Sequence, residues 1–160
     1  MATPVDSSQY TLLPYTVYNT LQEKLNALMN GEVLFIKNFE RNEGADVLVR
    51  LVDKKFTVTQ ISYDLRESEN DPRYWITFNI GINDLSLFTA FKFEEDLFLN
   101  TNKYMINDIV NYISQDGQAD SAVITAVYQS NLDPNQYAYQ LSRDSAGLYA
   151  EEDLIQNKYQ

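Results

Sequence analysis

The sequence predicts an α+β domain: an antiparallel β meander with two amphipathic helices packed on one face, plus a polar C-terminal arm. Three observations predict it. Apolar side chains recur at spacings of three and four in residues 14–30 and 101–115, the period of a helix. Between them, residues 33–93 run as short apolar stretches and period-two alternation. Beyond Asp133-Pro134 the chain becomes polar and rich in Tyr, Gln and Asn. A length of 160 residues suits one domain with a real core. The expected organisation is an extended lead-in over residues 1–13, the α+β domain over 14–128 and the arm over 129–160.

Pro14 suits the first position of the first helix, and Tyr18, Leu21, Leu25 and Leu28 make its apolar stripe. Asn30-Gly31 supplies the left-handed residue that ends it. Val33-Leu34-Phe35-Ile36 is a continuous apolar run, the pattern of a strand buried on both faces. After the loop at residues 40–44, Asp46 to Asp53 alternates as a strand. Lys54-Lys55 marks a tight turn, and Phe56 to Leu65 forms the next strand. Residues 66–72 are a charged loop closed by Pro72.

Tyr74, Ile76, Phe78, Ile80 and Ile82 then alternate strictly, Asn83-Asp84 has hairpin chemistry, and Leu85, Leu87, Thr89, Phe91 and Phe93 return as the partner strand. Asn100 or Thr101 can cap the second helix. Met105, Ile106, Ile109, Val110 and Ile113 form its apolar face, and Asp116-Gly117 ends it. Residues 121–128 read as a closing strand, with a short helix as the alternative. Leu148 to Tyr159 has the composition of a weak acidic helix.

The chain contains no histidine and no cysteine. Those side chains dominate acid–base work near neutral pH, nucleophilic catalysis and transition-metal ligation. Lack of cysteine rules out a disulfide framework and fits synthesis in the cytoplasm. The first six residues carry neither a basic region nor an apolar stretch, so no secretory signal is expected there. No apolar run approaches the roughly 20 residues that cross a bilayer.

Net charge is −11 and lies unevenly. Residues 1–92 carry 9 basic and 12 acidic groups, whereas residues 93–160 carry 3 basic and 11 acidic ones. A field of that sign repels phosphate backbones and anionic lipid, so neither sequence-specific nucleic-acid binding nor membrane docking is expected.

Carboxylates are the remaining catalytic candidates. Glu67, Glu69 and Asp71 would share one side of an extended loop and could hold calcium weakly, but the spacing and glycine of a calcium loop are missing. A solvated loop explains them better. Glu94-Glu95-Asp96 and Glu151-Glu152-Asp153 lie where helices begin, where negative charge complements the dipole. Lys54 and Lys55 sit at an expected exposed turn, which does not depress a lysine pKa. With five glycines and no phosphate-binding or nucleophile-elbow motif, no enzymatic activity, catalytic residue, metal or cofactor is expected.

The 12 tyrosines and 8 phenylalanines point instead to contacts with other proteins, since tyrosine offers rigid area with a polar tip. Trp75 and Phe88 lie opposite the main apolar rows of their expected strands. With Tyr128, Tyr137, Tyr139 and Tyr149 they are the expected partner-contact residues.

In order of elements, the chain resembles the tail-completion and head–tail connector proteins of tailed bacteriophages. The correspondence runs through the first helix (14–30), the meander (32–93), the second helix (101–115) and the closing strand (121–128). The resemblance implies a structural protein of the virion, a homo-oligomeric ring touching itself and neighbouring neck or tail proteins. The alternative is an acidic inhibitor imitating nucleic acid, motivated by the charge of the last 68 residues.

Overall fold

Helix α1 (Leu21–Met29) starts where the chain supplies a reciprocal cap. The Thr20 side chain accepts the Glu23 N–H, and the Glu23 carboxylate accepts the Thr20 N–H in return. The expected start at Pro14 is therefore seven residues early, because Thr20, not the residue before Pro14, offers the capping side chain. Gly31, at φ +85°, ends the helix as predicted, with the Gly31 and Glu32 N–H groups donating to Leu28 and Ala27.

The computed structural model describes residues 4–36, 47–52, 55–60, 76–77, 82–114 and 116–156. Its antiparallel sheets and few helices make the α+β class predicted from the sequence. The chain divides into two units, one formed by Met1–Pro14 with Asp96–Gln160, the other by Tyr15–Glu95 inserted between those segments.

In the inserted unit, β2 (Val17–Tyr18), β3 (Leu34–Ile36), β4 (Val47–Val52), β5 (Lys55–Gln60), β6 (Ile76–Thr77) and β7 (Ala90–Lys92) form a sheet in the order β2-β7-β3-β4-β5-β6. All three residues of β3 are buried, as its unbroken apolar run requires. Val52 pairs with Lys55, which fixes the β4–β5 register. Ala27 and Leu28 of α1 pack with Leu34, Ile36, Val47, Val49, Leu85 and Ala90.

The strand expected at residues 85–93 is instead helix α2 (Ile82–Leu87) followed by β7. Asn83-Asp84 therefore lies within a helix rather than in a hairpin turn. Leu85 is fully buried while Leu87 is 76% exposed, a difference that period-two alternation does not allow. The reason is tertiary. Lys24 of α1, only 2% exposed, donates from Nζ to the Leu85 carbonyl at 3.0 Å and the Phe88 carbonyl at 2.7 Å. An ammonium thus satisfies carbonyls at the end of α2, where a cation also complements the dipole. Of the strands expected at 56–65 and 74–82, β5 and β6 are seen, paired at Thr57↔Thr77. Residues 61–65, 74–75 and 78–81 and the loops at 40–44 and 66–72 lie outside the described residues, and Ile82 instead opens α2.

In the discontinuous unit, β1 (Tyr10–Leu12), β8 (Ile109–Ile113), β9 (Ala119–Ser130), β10 (Tyr137–Leu141), β11 (Asp144–Ala150) and β12 (Ile155–Gln156) form a sheet in the order β11-β10-β9-β8-β12. β1 pairs with the far end of β9, at Tyr10↔Ser130. The 12-residue β9, which includes the predicted closing strand, pairs with β8 over its first half and with β10 over its second. Between the halves, Thr125 is the extra residue of a β-bulge, and its hydroxyl donates to the Gln140 carbonyl at 3.2 Å. After β11 a 3-10 turn (Glu151–Asp153) carries the chain back to pair with β8 as β12.

Two expectations are corrected here. The second helix over residues 101–115 does not form, and its apolar residues belong to β8 and the loop before it. Asn107 adopts φ +78° and Asp108 accepts the Met105 N–H, so the backbone turns out of any helical path before Ile109. The polar arm expected over 129–160 is instead largely sheet across its described residues, which run to Gln156. Its Tyr137-Ala-Tyr139-Gln-Leu141 run forms β10, with Ser142-Arg143 as the turn to β11. The acidic helix expected from Leu148 gives way to β11, the 3-10 turn and β12. Among the described residues, no helix is long and apolar enough to cross a membrane.

Candidate functional site

Period two puts Tyr137, Tyr139 and Leu141 on one side of β10, and all three are buried. Their phenols are spent inside the unit. The Tyr137 hydroxyl accepts the Thr101 N–H at 2.9 Å, and the Tyr139 hydroxyl accepts the Tyr104 N–H at 3.2 Å. Tyr139 also donates to Glu151 Oε2, which in addition accepts the Lys103 N–H at 2.9 Å. Tyr104 donates in turn to the Leu154 carbonyl and stands edge-on to the Tyr139 ring at 5.4 Å. Tyr149 is buried against Tyr112, with ring centroids 5.3 Å apart. These contacts tie the irregular segment from Asn100 to Asp108 onto the sheet.

Three of the six expected partner-contact residues, Tyr137, Tyr139 and Tyr149, are therefore core residues. Tyr128 is half-buried on β9, and Phe88 is half-buried against the core of the inserted unit. Phe88 and Tyr128 belong to different units, and Trp75 lies outside the described residues.

A different surface stands out. Asn111 pairs with Ser121 on one side and Ile155 on the other, so all three side chains share one face of the β12-β8-β9 ladder. Two residues along each strand, Ile113↔Ala119 and Ile109↔Val123 lie on that same face. Tyr112 turns to the opposite face and is buried. The shared face bears an open groove of about 520 Å³, lined by Asn111, Ile113, Ala119, Ser121 and Ile155, with Tyr112, Asp120 and Asp153 completing it. Ile113 is 40% exposed and Ile155 67%. Asp120, the partner of Tyr112, turns with it to the opposite face, and Arg143 Nε lies 3.6 Å from its Oδ1. The sequence hides this groove, because Ile113 also fits helical spacing and Ile155 lies in a polar stretch.

Many described carboxylates serve the backbone, all but Glu151 within their own turn or cap. Asp6, Glu23, Asp108, Asp116, Asp133 and Glu151 each accept a main-chain N–H. Hydrogen bonds from Thr20 hold Glu23 below the usual carboxylate range, and those from Ser114 and Gln118 do the same for Asp116. Among the described residues, no group of three or more carboxylates could hold a metal ion.

No protein-family model matches the chain, and no curated protein sequence matches it.

The buried phenols set an alkaline limit on stability. Burial, reinforced by the hydrogen bond to Glu151, pushes the Tyr139 phenol well above its ordinary 10. Burial and Glu32 push Tyr18 up to about 12. A group whose folded pKa is raised contributes stability fully below its unfolded value and loses it above. Stability should therefore fall as pH rises from 10 towards 12. Lys24 acts oppositely: burial lowers its pKa from 10.5, so its contribution rises with pH until the unfolded lysine deprotonates. Urea titrations from pH 8 to 12 on the protein and on Lys24→Met separate the two. Undiminished stability at pH 12 would refute the role given to the phenols.

Proposed function

We propose that the chain is a non-enzymatic structural subunit of a multi-protein assembly, working through protein–protein contacts. The observation that carries this reading is the exposed face of the β12-β8-β9 ladder. It leaves Ile113 and Ile155 in water on a strand surface that a neighbour could cover. The narrower reading is a neck or tail protein of a phage virion, made in the cytoplasm and assembled as a ring with neighbouring structural proteins. It is supported by the sequence of first helix, meander and closing strand, although residues 109–113 of the expected second helix form β8. The nucleic-acid-mimic alternative has less support, since carboxylates bound to local N–H groups are dispersed among turns and caps rather than aligned in a stripe.

Light scattering and negative-stain microscopy test the proposal. Rings, or discrete complexes with neck and tail neighbours co-expressed from the same genome, are expected. A monomer at every concentration that joins none of those neighbours would overturn it.

A further inference from the structure

The charge around the groove distinguishes what could occupy it. Its apolar floor is formed by Ile113, Ala119 and Ile155, and the two charged residues among its lining, Asp120 and Asp153, are acidic. Asp120 shares the face of Tyr112 and is already approached by Arg143, so Asp153 is the acidic group left for an incoming cation. A second copy of the chain is poorly suited as occupant. Residues 93–160 carry 3 basic groups against 11 acidic ones, so two such surfaces repel. An anionic surface is disfavoured for the same reason.

We propose that the groove binds an extended, cationic segment of a partner protein, with aliphatic side chains on Ile113 and Ile155 and a lysine or arginine at Asp153. An extended chain presents alternate residues on one side, so aliphatic and basic residues two apart reach floor and rim together. The inference rests on the reading of the chain as a subunit that works through protein contacts, and it names the chemistry of one partner.

The probe is a short labelled peptide in which serine alternates with isoleucine and lysine in turn, placing both residue types on one side. Saturable binding to the full chain is expected, with amide shifts centred on Asn111, Ile113, Ala119 and Ser121. Asp153→Asn and Ile155→Ser should each weaken it at least threefold, and raising ionic strength should weaken it further. Both positions are exposed, and folding of each variant is checked by its unchanged spectrum outside the groove. A control peptide with glutamate for lysine should not bind, and one with serine for isoleucine should bind at least threefold more weakly. Absence of saturable binding, equal binding by both variants, or shifts scattered over the acidic surface would overturn the proposal. So would self-association through this face that the peptide displaces. Because ring formation is measured separately, an assembling protein that ignores the peptide would sink the groove's role alone.

Discussion

Truncation after Asp133 is expected to unfold the discontinuous unit rather than trim an appendage from it. The deletion removes β10, β11 and β12, so β9 loses its partner over Ile124 to Gln129 and β8 loses its outer neighbour. It also removes the buried rings of Tyr137, Tyr139 and Tyr149 with Leu141, Leu148 and Leu154. Loss of one large buried side chain costs about 3–5 kcal/mol, and a whole domain is stable by only about 5–15 kcal/mol. Six such losses exceed any reserve. Circular dichroism and amide spectra of the shortened chain should show residues 4–14 and 96–133 without native dispersion. A native environment for Tyr112 in the shortened protein would contradict this. An assembly defect in such a truncation would therefore report unfolding, not the loss of a docking arm.

Tyr139 is the second sensitive point. Its ring is fully buried and its hydroxyl links three segments, accepting from Tyr104 and donating to a Glu151 carboxylate that also holds Lys103. Replacing it by phenylalanine keeps the ring but leaves the Tyr104 N–H and one carboxylate oxygen short of a partner, at a cost of about 1–3 kcal/mol. Replacing it by alanine adds a cavity, raising the cost to about 3–5 kcal/mol. Urea denaturation of both variants at neutral pH measures the two contributions. A phenylalanine variant as stable as the parent would show that the hydroxyl's bonds contribute nothing net.

Much of the architecture can be read from local pattern where local pattern governs. The run Val33–Ile36, the alternation around Val47–Val52, the Asn30-Gly31 stop and the β-branched segment at 121–128 all form as their chemistry dictates. Thr20-x-x-Glu23 is a legible cap that the apolar stripe from Tyr18 obscured. Residues 101–115 misled because Ile109, Val110 and Ile113 fit helical spacing from Met105 and Ile106 as well as they fit β8. The β-branched run after Asn107-Asp108 was the better guide.

The tyrosine-rich tail misled for a different reason. Its alternating Tyr137 and Tyr139 are strand chemistry, but their phenols gave the segment a polar composition. What makes them core residues is distant: N–H groups of Thr101 and Tyr104 lie some 35 residues away in sequence. Lys24 was equally unreadable, since its acceptors lie in and just past a helix 61 to 64 residues further on. The groove followed the same logic. Asn111, Ser121 and Ile155 become neighbours only once β8, β9 and β12 have found their register.

The insertion of one unit within the other has a consequence for biosynthesis. Tyr10 to Leu12 leave the ribosome long before Tyr128 to Ser130, the residues with which they pair. Residues 15–95 form an uninterrupted stretch that can reach its own sheet while translation continues. The nascent amino-terminal strand must meanwhile wait, with its pairing edge open to chaperones or to wrong partners. Slowing elongation downstream of residue 95 should therefore lower the yield of native protein by prolonging that vulnerable interval.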